Sequence, residues 1–563
     1  MTSFTRVLGT SFSLCLLVIS CSHNSITDSV ISFASLARVL QLPTVFAATV
    51  APDVTTYHYN LARNGLNPYE TILTPANVNS TDFGKIGSHG TDGHVDAEPL
   101  FLANLTVAGK LHNVLYVATE HGSVYALDAD TLAQLWRVSV IPAGETTSDD
   151  HGCPQISPAI GITSTPVIDR RHGPHGTIFI VAMSKDVNNE YHQRLHALDV
   201  TTGVEMAGSP TEVTASYPGT GDNSQDGRVV FNPSQYAERA ALTLYNGNIY
   251  TAWTSHCDAF EYTAWVIAYN ETTLKQTQIL NLTPNGRKGS VWMSGGGIAV
   301  SDGYLYLPLS NGTFDTTLDN NGFPSHGDYG NGIVKLNPLS VPGGRLTVAD
   351  YFNTYNTVSE SDLDLDLGSG GVITLPPMTD VNGASRNLIV AAGKDQNIFL
   401  ADRTNLGKFN PSTVAPDHNV YQKITGQLAG RNYSTPAYFY GVLYYGASGD
   451  SLKAFPFSHA KLPASPSSHS ATIFGYPGTT PAVSANGSRN GIVWAVEGTF
   501  NSTAILHAYN PADLSHEYYN STQGPGNRDA VGASNKFITP LVVNGKVYIG
   551  TPTGVTVFGL LHH

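Results

Sequence analysis

Two cysteines, Cys153 and Cys257, are the only thiols in the body of this 563-residue chain; Cys15 and Cys21 lie in its apolar N-terminal run. An oxidising compartment would allow Cys153 and Cys257 to bridge, but sequence alone leaves that contact open. No Cys-x-x-Cys pair offers a metal site, and no Cys-x-x-Cys-His a haem. A Gly-x-Ser-x-Gly elbow, a His-Glu-x-x-His pair and a phosphate-binding glycine loop are all missing. Gly449-Asp450-Ser451-Leu452 spells an esterase nucleophile motif, but it runs into a strand-like segment and reads as coincidence. His256, Cys257 and Asp258 form a polar cluster ahead of Trp265, open to a metal or to a loop hydrogen-bond network. Arg431-Asn432-Tyr433, Glu497 and Arg528-Asp529 stand where late strands begin. They would either line a channel or pair between neighbouring elements. The balance of 43 acids against 29 bases, a net charge of −14, argues against nucleic acid.

The elements that would position these groups repeat. Val124-Tyr125-Ala126-Leu127-Asp128-Ala129-Asp130-Thr131 returns as Leu195-His196-Ala197-Leu198-Asp199-Val200-Thr201-Thr202-Gly203. Weaker copies follow at Val266, Ile333, Phe399, Leu452, Leu506 and Val555, giving about eight units, roughly 50 to 70 residues apart. In each, an alternating apolar strand runs into an Asp or Asn whose side chain can close a turn on nearby N–H groups. A strand precedes most units, and further upstream a Pro opens another, as in Glu98-Pro99, Thr165-Pro166 and Thr539-Pro540. Four strands per unit make a blade, so the expected fold is all-β: a single eight-bladed β-propeller. After Phe558 too few residues remain for a fourth strand, and an open edge there would invite aggregation. Asp82-Phe83-Gly84-Lys85-Ile86-Gly87 is the expected donor that closes the ring.

The N-terminus reads as an export signal over residues 1–21, too short to span a membrane. Val18-Ile19-Ser20-Cys21 resembles a lipobox, which would make Cys21 a lipid anchor; an ordinary signal peptide containing a Cys is the other reading. Residues 22–56 would be a leader or tether and 57–563 the propeller. The expected product is an exported monomer without a transmembrane span.

The A-x-D-x-x-T-G…W pattern on blades of this size resembles the quinoprotein alcohol dehydrogenase-like superfamily. Those proteins are eight-bladed propellers, and many bind pyrroloquinoline quinone (PQQ) and Ca²⁺. Lys394-Asp395-Gln396-Asn397-Ile398-Phe399-Leu400-Ala401-Asp402-Arg403 is similar to the family segment whose cation sits beside the quinone carbonyl, so the resemblance assigns Lys394 to cofactor and catalysis. By the same resemblance Trp292 would stack under the quinone, Asn311 would bind Ca²⁺, and Asp328 would be the general base near the metal. The family's metal-binding Glu has no counterpart in register; it would align near Ala259, and Asp258 or Glu261 would have to substitute. Its adjacent-cysteine disulfide is also absent, which leaves Cys153 to reach Cys257 and tie two neighbouring blades.

Two functions follow. One is a non-catalytic scaffold that binds a glycan, another polymer or a protein. The other is a PQQ- and calcium-dependent oxidoreductase acting on an alcohol or sugar.

Overall fold

The computed structural model describes residues 52–338, 345–411, 417–499 and 502–562. The expected signal, the lipobox cysteine Cys21 and most of the leader lie outside the described residues. Among the described residues no helix is long and apolar enough to cross a membrane, and the α-helix Thr357–Asp362 is a short exception to a β structure.

Antiparallel sheets follow one another in sequence. They cover residues 100–139, 167–212, 243–281, 299–353, 372–424, 437–474, 482–520 and 541–560, and each runs first strand to last in sequence order. The last sheet supplies only three strands of its own. Its fourth is Phe83–Gly90, which pairs antiparallel with Gly554–Leu560, from Phe83 opposite Leu560 to Gly90 opposite Gly554. This strand overlaps the expected donor, residues 82–87, from Phe83 onward and runs three residues past it.

The turn chemistry is that of the repeat. Asp199 Oδ1 accepts the N–H groups of Thr201 and Thr202 at 2.8 and 3.1 Å and the Thr201 hydroxyl at 2.6 Å. Asp128, Asn270 and Asp402 close their turns the same way. Each turn also meets its neighbour: Trp136 Nε1 donates to Val200 O at 3.1 Å. Gly203, at φ +70°, lies so close to that indole that an added Cβ would fall 2.7 Å from its ring.

The core is divided among the junctions between sheets. One cluster joins Val114, Tyr116 and Ala126 to Ile178, Ile180 and Leu198. Others join each later sheet to the next. The last links Phe101, Leu115 and Val117 to Leu541, Tyr548 and Val557, so the final sheet packs on the first.

A strap formed by residues 54–67 crosses the first strand of every sheet. Val54 donates its N–H to Phe101 O, and Thr55 O, Leu61 O and Ala62 O accept from Ile168, Val300 and Thr374. Asn64 O and Gly65 O accept from Tyr438 and Val483. The buried guanidinium of Arg63 reaches Thr243 Oγ1 at 2.6 Å, and Asn67 Nδ2 donates to Val542 O at 2.9 Å. The strap thereby satisfies inner-strand backbone groups that otherwise lack partners.

Candidate functional site

A cavity of about 490 Å³ is lined by loops that follow or precede strands of several sheets. Its floor is aromatic. Trp292 meets the ring of Phe537 edge-on at 5.2 Å, and Tyr433 packs edge-on against Tyr476 at 5.3 Å. Trp292, Tyr433 and Tyr476 present ring surface to the cavity.

Its charged wall is built by two turns that meet. Lys394 lies in the turn after Leu388–Ala392, held by its own N–H on Asp366 O at 2.8 Å. The facing segment, residues 364–368, follows the helix Thr357–Asp362. Asn331 Oδ1 fixes it by accepting the Leu367 N–H at 2.8 Å. Gly393 permits the approach, since a Cβ there would fall 2.3 Å from Asp366 O. Lys394 Nζ is thus set 2.5 Å from Asp364 Oδ1 and 2.7 Å from Asp366 Oδ1. Asp364 also receives Asn311 Nδ2 at 2.8 Å and Arg431 Nη1 at 3.0 Å.

Burial fixes the protonation states. It would lower the Lys394 pKa, but Asp366 and then Asp364 outweigh it and hold the lysine above its ordinary value. Asp366, 1% exposed, is pushed up by burial against the pull of Lys394. Burial also works to raise Asp364, but Lys394 wins and holds that carboxyl below its usual range. The two carboxylates thus favour the charged form of Lys394, and burial disfavours the charged form of Asp366 more than that of Asp364.

The expected site residues can now be placed. Lys394, Trp292, Asn311, Asp258, Cys153 and Cys257 all line this cavity. Cys153 and Cys257 form a disulfide, with Cα atoms 5.5 Å apart. It ties the loop after Thr146–Asp149 to the one after Asn248–Ser255, with exposed Cys257 on the cavity wall. Asp258 is engaged elsewhere: its Oδ1 accepts the Ser255 and Tyr262 hydroxyls at 2.9 and 2.6 Å, and Oδ2 faces Lys288 at 3.6 Å. Asp328 does not line the cavity. The Gly327-Asp328 turn folds over residues 284–286, where Asp328 Oδ1 accepts the Asn285 N–H at 3.0 Å. Burial there pushes its carboxyl up to about 6.

Asp364 and Asp366 are cavity carboxylates in contact with Lys394 that sequence reasoning missed. Their signal was the alternation Asp362-Leu363-Asp364-Leu365-Asp366 just ahead of Ser369-Gly370-Gly371. Arg431 and Tyr433 do reach the cavity. Glu497 instead pairs with His507, and Arg528-Asp529 caps the Phe83–Gly90 strand through Lys85 N.

In this cavity the buried Asn311 Oδ1 and Asp366 Oδ2, potential donors to a hard cation, make no hydrogen bond among the described residues. No group of three or more His, Cys, Asp or Glu side chains among those residues is set to hold a metal ion. A calcium-type ion would therefore need oxygen donors from a co-bound ligand to complete its usual six to eight.

No protein-family model matches the sequence, and no curated protein resembles it in sequence. Solved structures do match. The protein aligns with the quinohemoprotein alcohol dehydrogenase ADHIIG of Pseudomonas putida HK5 at a TM-score of 0.58 and 13% identity, over 90% of its own length and 80% of that enzyme's. The quinohemoprotein alcohol dehydrogenase of Comamonas testosteroni gives 0.58 and 14% over the same shares. A europium-containing methanol dehydrogenase gives 0.53 and 12%, over 90% of this protein and 98% of that one. In fold, therefore, the protein resembles these quinohemoprotein alcohol dehydrogenases and this methanol dehydrogenase.

Proposed function

We propose that the protein is an exported oxidoreductase acting on CH–OH groups, with a PQQ-type quinone and a calcium-type ion held in the cavity of Lys394. The observation that carries this reading is the meeting of Lys394, Asp364, Asp366 and Asn311 beside the Trp292 ring in one cavity. When bound, the quinone supplies the two-electron acceptor that turns a carbinol into a carbonyl. The protein's own residues do the rest. Trp292 offers a flat face for a planar ligand. Lys394 places a fixed positive charge where negative charge builds on an oxygen. Asp366 takes the hydroxyl proton, the role first expected of Asp328, and Asn311 Oδ1 contributes to the cation. Asp364 positions: it clamps Lys394, Asn311 and Arg431 together.

The scaffold of this reading is a closed ring of eight blades, supported by the pairing of Phe83–Gly90 with Gly554–Leu560 and by the apolar junction between the last sheet and the first. The Cys153–Cys257 bridge suits an oxidising compartment and so supports export.

The test is reconstitution of the purified protein with PQQ and Ca²⁺, removal of unbound cofactor, and dye-linked oxidation of a panel of alcohols and aldoses. Retained quinone absorbance is expected, with turnover lost in Lys394→Ala and reduced at least about 100-fold in Asp366→Asn. Failure to retain any quinone sinks the oxidoreductase and leaves the scaffold function.

A further inference from the structure

The walls of the cavity carry a second message, about what enters it. None of the residues lining it is Ala, Val, Leu, Ile, Met or Phe. Its apolar surface comes from the rings of Trp292, Tyr433 and Tyr476 and from the disulfide. The remainder is hydroxyl, amide and charge, including Thr254, Ser255, Ser290, Ser310 and Gln155. At about 490 Å³ the space is in the range of sites that enclose a ligand of many heavy atoms.

An alkyl group gains by displacing water from apolar wall. Here it would instead strip water from hydroxyl, amide and carboxylate groups and offer them nothing in return. A ligand with a hydroxyl on most carbons pairs with those groups. The C–H face of its carbon skeleton still finds a partner in the aromatic floor, where edge-on packing holds Tyr433 and Tyr476 in place. The Tyr476 hydroxyl donates to Gln155 Oε1 at 2.5 Å, which holds the Gln155 amide at the cavity wall. Arg431, anchored on Asp364 at the edge of the same wall, adds a fixed fork of donors.

We propose that this cavity selects a polyhydroxylated ligand of about monosaccharide size, a sugar or sugar alcohol, over a simple aliphatic alcohol. The proposal takes its site from the oxidoreductase reading, but the composition of the wall carries it independently.

The test compares D-glucose and D-mannitol with 1-butanol and 1-hexanol. Turnover is measured on the PQQ- and Ca²⁺-loaded protein, and binding by calorimetry on the cofactor-free protein. A kcat/KM at least about 100-fold higher for the polyhydroxylated pair is expected, because a site built to hydrogen-bond hydroxyls rejects analogues that lack them. Ser290→Ala and Ser310→Ala, which remove a hydroxyl without adding bulk, should each narrow that ratio, with a thermal melt confirming that each variant is folded. Preference for the alkanols overturns the ligand class and leaves the oxidoreductase standing. Binding of D-mannitol or D-glucose but not alkanol, with no turnover of any compound, upholds the ligand class and overturns the oxidoreductase. Neither turnover nor binding of either sugar compound overturns both.

Discussion

At the scale of single residues, the protein buries charge where partners allow it. Lys394 is the case in the cavity and His507 the one away from it. The His507 ring lies between two carboxylates, Nδ1 at 2.6 Å from Glu517 Oε1 and Nε2 at 3.0 Å from Glu497 Oε2. Burial alone would lower its pKa, but the pair of acids outweighs it and the folded value lies above the ordinary 6.5. A raised histidine binds its proton more tightly in the folded state. Its stabilisation is therefore complete below about pH 6.5 and is lost as pH rises through the folded value. Urea melts at a series of pH values should show this decline in the parent and a flatter profile in His507→Gln. Equal slopes would mean that the clamp holds a neutral ring. The residue scale is also where sequence reading was weakest. That Lys394, Trp292 and Asn311 line one cavity was legible because each sits in a run of several matching residues. Asp328 was misplaced because an Asp-Tyr-Gly turn has the right types near the right strand, while the distance to the cavity is set by loop packing. Asp364 and Asp366 were overlooked because their segment reaches the site through a helix and a left-handed turn that no repeat announces.

At the scale of elements, turns do most of the positioning. The Asp- and Asn-closed turns were legible because their bonds run between neighbours in sequence, within three residues. The cavity loops depend on partners far away in sequence, and there the Cys153–Cys257 bridge matters most. It closes a loop with a sequence separation of 104 residues. Removing the constraint from the unfolded state should cost about 5 kcal/mol of stability. Exposed Cys257 makes the bridge reachable by reductant. Thermal melts with and without dithiothreitol should therefore differ clearly for the parent and coincide for Cys257→Ser. An unchanged parent melt would show that neighbouring sheets hold the loops without the bridge.

At the scale of the whole molecule, stability is shared around the junctions between sheets. The repeat and its period were readable from the sequence, and so was the need for a borrowed last strand, since four-strand units left the final edge unpaired. Deleting residues 83–90 removes that strand together with Phe83, which packs on Trp494, Tyr519 and Phe558. The deletion variant should melt well below the parent and associate as its concentration rises, seen by light scattering. A monomer with the parent's melting temperature would show that the last sheet does not need its fourth strand.

The strap of residues 54–67 has a consequence for how the protein is made. It leaves the ribosome ahead of every sheet, yet the acceptors and donors it needs are spread from Phe101 to Val542. Until the last inner strand has been synthesised the strap has nowhere complete to dock, and contacts of such sequence separation form slowly. Docking of the strap must therefore wait until the last sheet has been made. The strap, made before any blade, is among the last segments to find its place, and a nascent polypeptide stalled before Val542 would leave it partly undocked.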